Sequence, residues 1–191
     1  MKKVKKGQAG YLAFKMKAQI LRTIIYFVLC ILIFGLGYWQ TGSKENLLTV
    51  VAVVGILPSS KALVDVIVRI PYHTIKPEIA EEIAQKSNYL TVIYDLIITS
   101  TEKIMPVSCI VISGNKIFGY TDNKKVDVNL VASNIKKMLA SHDYDVSVKI
   151  LNEYKPFLSR VEGLNNIQEI ERSNTKQDEK VMALLIQQIS L

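Results

Sequence analysis

Residues 23 to 39 (TIIYFVLCILIFGLGYW) carry no charge and almost no polar atom, and Arg22 stands directly before them. As a helix rising about 1.5 Å per residue the run reaches about 26 Å, close to the roughly 30 Å hydrocarbon core of a bilayer. The pattern predicts a membrane-crossing helix, with Tyr38 and Trp39 as an interfacial aromatic anchor. After a short polar turn, 42–46, the chain is apolar again over 47–58 (LLTVVAVVGILP) and continues as SSKALVDVIVRI to residue 70. Lys61, Asp65 and Arg69 recur at i, i+4 and i+8, which predicts a ladder of ion pairs on one helical face, with Ala62, Leu63, Val64, Val66 and Ile67 on the others. The second helix is expected to cross antiparallel to the first, to kink near Pro58 and to let Lys61 reach the cytoplasmic surface. A re-entrant or interfacial second segment is the alternative. With two crossings both chain ends lie on one side.

Beyond residue 70 the period changes. Pro71, Tyr72, His73 and Pro77 punctuate a linker. Lys76-Pro77-Glu78 opens a helix to about Lys86 with Ile79, Ala80, Ile83 and Ala84 on its apolar face. Residues 89–100 (YLTVIYDLIITS) read as a strand in which Leu90, Val92, Tyr94, Leu96 and Ile98 share one face. Residues 107–113 form a second strand, Gly114-Asn115 a two-residue turn, and 116–121 a third strand. Helical spacing returns over 126–141 through Val131, Ile135, Met138 and Leu139. A fourth strand is read over 145–151. A short helix over 156–164 is expected to end at Gly163 or at Asn165-Asn166, and a polar linker leads to an amphipathic helix over 177–190. The chain divides into a basic arm (1–22), a two-helix hairpin (23–70), a juxtamembrane linker and helix (71–88), a small α/β domain (89–167), and a linker with a C-terminal helix (168–191). The fold class is a membrane α-helical hairpin plus a small α/β (α-β-β-β-α-β-α) cytosolic domain.

The net charge of +7 changes the picture only once it is located. Lys2, Lys3, Lys5, Lys6, Lys15, Lys17 and Arg22 supply all of it, and the remaining chain holds 17 basic and 17 acidic residues. The positive-inside tendency therefore puts the N-terminus in the cytoplasm, where the arm meets anionic lipid headgroups. The neutral remainder argues against nucleic acid as a partner. The apolar run exceeds a signal-peptide core, and Gln40, Thr41, Gly42, Ser43 and Lys44 offer no small-x-small cleavage site, so an uncleaved span is expected. Cys30 and Cys109 are read as two buried thiols rather than a disulfide framework.

No catalytic motif stands out along the chain. The element order resembles the core of restriction-endonuclease-like folds, including nuclease-related domains on some bacterial membrane proteins. That resemblance implies an Asp on the second strand and Glu-x-Lys on the third, where carboxylates hold a metal that activates water. Here the second strand offers Ser108 and Cys109 and the third Phe118, Gly119 and Tyr120; Asp95 lies on the first strand and Asp122 follows the third. His73 and His142 lack partners at metal-ligand spacing. His142, Asp143 and Asp145 read as a solvated helix end. Gly7 and Gly10 lack the strand-turn-helix context of a phosphate loop. Tyr89, Tyr94 and Tyr120 read as strand core. The segments MKKVKKGQAGYLAFK, GYWQTGSKENLLTVVAVVG and YDLIITS resemble a family of short two-span membrane proteins of gut Firmicutes, some labelled "O-linked GlcNAc transferase-like". The resemblance runs over most of the chain and implies membership of a two-span family but no mechanism: nothing in the sequence resembles a nucleotide-sugar pocket, and the soluble part is too small for the usual glycosyltransferase domains.

The resulting expectation is a non-enzymatic, multi-pass cell-membrane protein with no catalytic, cofactor or metal residues. Both termini are cytoplasmic, and the α/β domain is shown to an unknown protein partner. Two alternatives are a degenerate nuclease-like domain that holds nucleic acid without cutting it, and an oligomeric pore or holin-like assembly.

Overall fold

The computed structural model describes residues 4–99, 103–171 and 175–190. Lys2, Lys3, the expected strand end at Ser100 and part of the polar linker lie outside them. Ten elements follow in order: α1 (Tyr11–Thr41), α2 (Leu47–Arg69), α3 (Pro77–Gln85), β1 (Thr91–Thr99), β2 (Ile104–Ser113), β3 (Lys116–Tyr120), α4 (Val128–Ala140), β4 (Ser147–Leu151), α5 (Tyr154–Glu171) and α6 (Lys176–Gln188). Two long apolar helices thus precede a four-stranded mixed sheet with helices. The chain separates into two compact units, Met1–Leu12 with Thr74–Leu191, and Ala13–His73.

In the helical unit, α1 has 31 residues and α2 has 23, about 46 and 35 Å of helix. Both are long and apolar enough to cross a membrane. Their outer faces are unscreened: Ile31 is 68%, Leu57 71% and Trp39 85% exposed. Small residues line the inner face of α2, where Ala52, Ser59 and Ala62 are buried. A Cβ on Gly55 would stand 3.0 Å from the Cys30 sulfur, so the absent side chain lets the helices approach there. Asn46 caps α2 by accepting from Thr49 N at 2.9 Å. Pro58 lies inside α2, which runs unbroken through it.

The other unit has three layers. The sheet order is β1-β2-β3-β4, antiparallel except for β3 and β4. One face packs on α4 and α6 through Ile110, Ile112, Ile117, Val131, Ile135, Leu139 and Ile186. The opposite face packs on α3 and α5 through Ile83, Cys109, Val111, Phe157 and Val161. Asp127 caps α4 by accepting from the amides of Asn129 and Leu130.

Several sequence expectations are corrected. The five alternating residues of the expected first strand do not share a face: Leu90, just before β1, and Val92 and Tyr94 pack on the α3/α5 side, whereas Leu96 and Ile98 belong to the α4/α6 core. The phase changes at Asp95, whose φ of +56° is left-handed. Opposite it β2 changes phase as well, from Met105 and Val107 to Ile110 and Ile112, so cross-strand partners still agree. β2 also starts earlier than expected and contains Pro106. The amide of Ile97 is given to Ser190 Oγ, so the nitrogen of its partner Pro106 faces away from β1, where β3 has already ended. Helix α5 runs past Gly163, which buried Val161 and Leu164 flank, and through Asn165, whose Oδ1 accepts from Tyr89 N.

The basic arm holds two kinds of structure among the described residues. Lys15, Lys17 and Arg22 are on α1, while the segment before it adheres to β1: Tyr94 N donates to Gly7 O at 2.8 Å and Lys6 Nζ to Ser190 O at 2.5 Å. Gly7 is required twice. Its φ is +86°, and a Cβ would stand 2.7 Å from Ile93 Cγ2. Gly7→Ala is expected to cost about 1–3 kcal/mol, read as a lower urea midpoint of the chain in detergent.

Candidate functional site: the Asp95 clasp

Asp95 is the central residue of β1 and is 1% exposed. Its Oδ2 accepts from Gly10 N at 2.8 Å, from Leu12 N at 3.4 Å and from Thr74 Oγ1, while Oδ1 accepts from Ile75 N at 2.9 Å. One carboxylate therefore holds the chain where it enters α1 and again where it returns after α2. It also serves as an N-terminal cap for α1, supplied from 83 residues away, where negative charge offsets the exposed amides of the first turn. Sequence reasoning placed Asp95 on the first strand and gave it no role. Its partners are distant main-chain amides, which leave no motif.

Glu179 plays the matching part for the C-terminal helix. It is 1% exposed on α6, its Oε1 accepts from Gly114 N at 2.7 Å, and its Oε2 accepts from Thr91 Oγ1 at 2.8 Å. This ties α6 to the β2–β3 turn and to the start of β1.

Of the residues weighed as nuclease positions, Cys109 and Tyr120 go to the core with Phe118 packed against it, whereas Asp122 is exposed. Cys109 pairs with Tyr120 across β2 and β3, and Tyr120 stacks on Phe157 with ring centres 5.6 Å apart. Burial pushes the Cys109 thiol well up, and the charge of Asp95 adds to this. Burial raises the Tyr94 and Tyr120 phenols as well. These groups stay neutral at cellular pH and act as packing side chains. A Cβ on Gly119 would stand 2.5 Å from Ile150 Cδ1, so that position serves close strand contact. Ser108 Oγ donates to Asp122 Oδ1 at 3.2 Å beside this face. His142 sits at the C-terminal end of α4, its Nδ1 3.0 Å from Met138 O, and the neighbouring Asp143 takes a φ of +65°. His73 is in the other unit. Among the described residues no three His, Cys, Asp or Glu side chains are placed to hold a metal. Tyr89 is 42% exposed and outside both cores. Cys30 and Cys109 are both free thiols.

In the helical unit the expected Lys61–Asp65–Arg69 ladder does not form among the described residues. Asp65 Oδ2 instead accepts from Gln19 Nε2 of α1 at 3.3 Å. Thr23 is buried nearby, and the Cys30 and Ser59 heteroatoms are 3.6 Å apart. This polar seam joins α1 to α2 side chain to side chain.

Two further features complete the sheet unit. A cavity of about 400 Å³ opens by the β2–β3 turn, with Leu164, Ile167 and Met182 on its apolar wall and Lys116, Asp145 and Asp178 among its polar residues. On the α3/α5 side, Tyr154 Oη donates to Glu82 at 2.5 Å, and Lys86 pairs with Glu162 at 2.6 Å and Glu82 at 3.4 Å. The Tyr154 hydrogen bond, followed by Lys86, holds the Glu82 carboxyl below its usual value, while the Glu162 contact leads in raising Lys86. The sign follows from each shift. The Glu82 contribution is complete above the usual carboxylate range and is lost as pH falls through its lowered value. The Lys86 contribution is complete below the usual lysine range and is lost as pH rises through its raised value. Tyr154→Phe is expected to move the Glu82 titration back toward the ordinary carboxylate value, measured by carboxyl NMR shifts.

Comparisons with protein-family models, with curated proteins and with solved structures found no match.

Proposed function

We propose that this chain is a non-enzymatic, membrane-anchored protein whose α1–α2 hairpin holds a small cytosolic α/β domain that another protein binds. The observation that carries the reading is the exposed apolar surface of the hairpin, with Ile31, Trp39 and Leu57 facing outward. Water would not tolerate so large an apolar surface on a monomer, whereas lipid tails do. Polar side chains sit instead in the seam between α1 and α2. Lys15, Lys17 and Arg22 on the first turns of α1 favour a cytoplasmic N-terminus and attract anionic headgroups, at about 1 kcal/mol per nearby charge. With two crossings the C-terminus is cytoplasmic as well.

The test is alkaline carbonate extraction of membranes holding the intact chain, with a tag at each end probed by protease from either side. Retention in the pellet, with both tags cut only from the cytoplasmic side, is the expected result. Release into the supernatant would overturn the anchor, and tags on opposite sides would overturn the hairpin.

A further inference from the structure

We propose that the outer edge of β4 docks an extended, acid-bearing segment of a partner protein, which adds as a fifth strand. The two edges of the sheet differ. The β1 edge is covered by both ends of the chain: Tyr94 N donates to Gly7 O, Ile97 N to Ser190 Oγ and Thr99 N to Ile189 O. The β4 edge has no such cover among the described residues. Ser147 N donates to Asn115 O at 2.8 Å, and Leu151 O accepts from Thr121 N at 3.0 Å, so residues 147 and 151 turn their backbone toward β3. Alternation turns the N–H and C=O of Val148 and Ile150 outward, and none of these four groups has a hydrogen-bond partner among the described residues; Val148 is half-buried and Ile150 is 4% exposed, so the Val148 groups are the ones an incoming strand meets first. Unpaired strand groups of this kind are a ready template for an incoming strand.

Charge selects the occupant. Lys149 is exposed between the two outward residues and is in no ion pair among the described residues. Its backbone faces β3, so an antiparallel newcomer meets it as a non-hydrogen-bonded pair, with Cα atoms about 4.5 Å apart and side chains at their closest. Lys116 is exposed on the same face, one strand inward and paired with Ser147. A carboxylate opposite Lys149 is therefore favoured and an ammonium disfavoured. A second copy of this chain fits poorly. The register that uses Val148 and Ile150 of both copies sets Lys149 against its own counterpart, two like charges at the shortest cross-strand spacing.

This inference rests on the reading of the domain as one that another protein binds, and names the chemistry of the partner. The probe is a fluorescent nine-residue peptide of alternating Thr and Val with one Glu at its centre. Its twin carries Lys there. Binding to the purified full chain in detergent is followed by anisotropy. The Glu peptide is expected to bind at least about fivefold more tightly than the Lys peptide. Lys149→Glu, a surface change that leaves the core alone, is expected to reverse that order. Val148→Pro, which removes one outward amide, is expected to abolish binding of both. Unchanged preference in the Lys149→Glu variant would overturn the proposal, as would absence of binding or β4-to-β4 pairing of two chains. Failure here would strike the β4 edge alone, whereas failure of carbonate retention would strike the anchor.

Discussion

Asp95→Ala is expected to lower the stability of the sheet unit by about 3–5 kcal/mol. The substitution removes the acceptor for the Leu12 and Ile75 amides and the Thr74 hydroxyl, and one of two acceptors for the Gly10 amide, which also donates to Thr74 Oγ1 at 3.1 Å, at a residue that is 1% exposed. A buried donor left without a partner costs about 1–3 kcal/mol. Leu12 N, at 3.4 Å, is the weakest of the four contacts. Part of the loss is conformational, because the φ of +56° suits Asp, Asn or Gly far better than Ala. Two companion variants separate these causes. Asp95→Asn keeps the backbone preference and one oxygen, so it is expected to lose less than Ala does. Asp95→Gly relieves the backbone and loses every side-chain acceptor. Against a total stability of about 5–15 kcal/mol for a domain, the Ala variant is severe. Hydrogen exchange read by mass spectrometry gives the local check. The amides of Gly10, Leu12 and Ile75 are expected to lose protection before those of Ile110 or Ile117 in the core. Unchanged exchange at the first three would show that the carboxylate does not hold the chain there.

Ile31→Arg is expected to cut membrane insertion of α1 sharply. Ile31 lies at the middle of the apolar run and is 68% exposed. At the centre of a membrane helix Arg costs about 2.5–3.5 kcal/mol, roughly a hundredfold in the insertion equilibrium. On a helix facing water the same exposed position would tolerate Arg within about 0.5 kcal/mol, and solubility would rise. The two environments thus predict opposite behaviour from one substitution. A glycosylation-site insertion assay on the full chain, beside carbonate extraction, reads the difference. Undiminished insertion would place the outer face of α1 away from lipid.

Much of the architecture is written locally along the chain. The apolar runs around 31 and 57 mark two long helices, because their length and composition, with the residues that continue them, suit a helix the length of a bilayer core whatever packs nearby. Period-two and period-3.6 patterns mark four strands and the helices between them, and Gly114-Asn115 marks the tight turn. These features depend on neighbours a few positions apart. Tertiary contacts decided the rest. The role of Asp95 depends on amides about 85 and 20 positions away, and that of Glu179 on Thr91 and Gly114, so neither leaves a motif. The phase change in β1 follows from a single left-handed residue matched by the opposing strand, which an alternation rule cannot register. Helix α5 passes Gly163 because Val161 and Leu164 are buried on either side of it, and burial outweighs a propensity penalty of about 1 kcal/mol. The open flank of β4 is likewise a property of the folded sheet, since a strand is an edge only by virtue of what lies beside it.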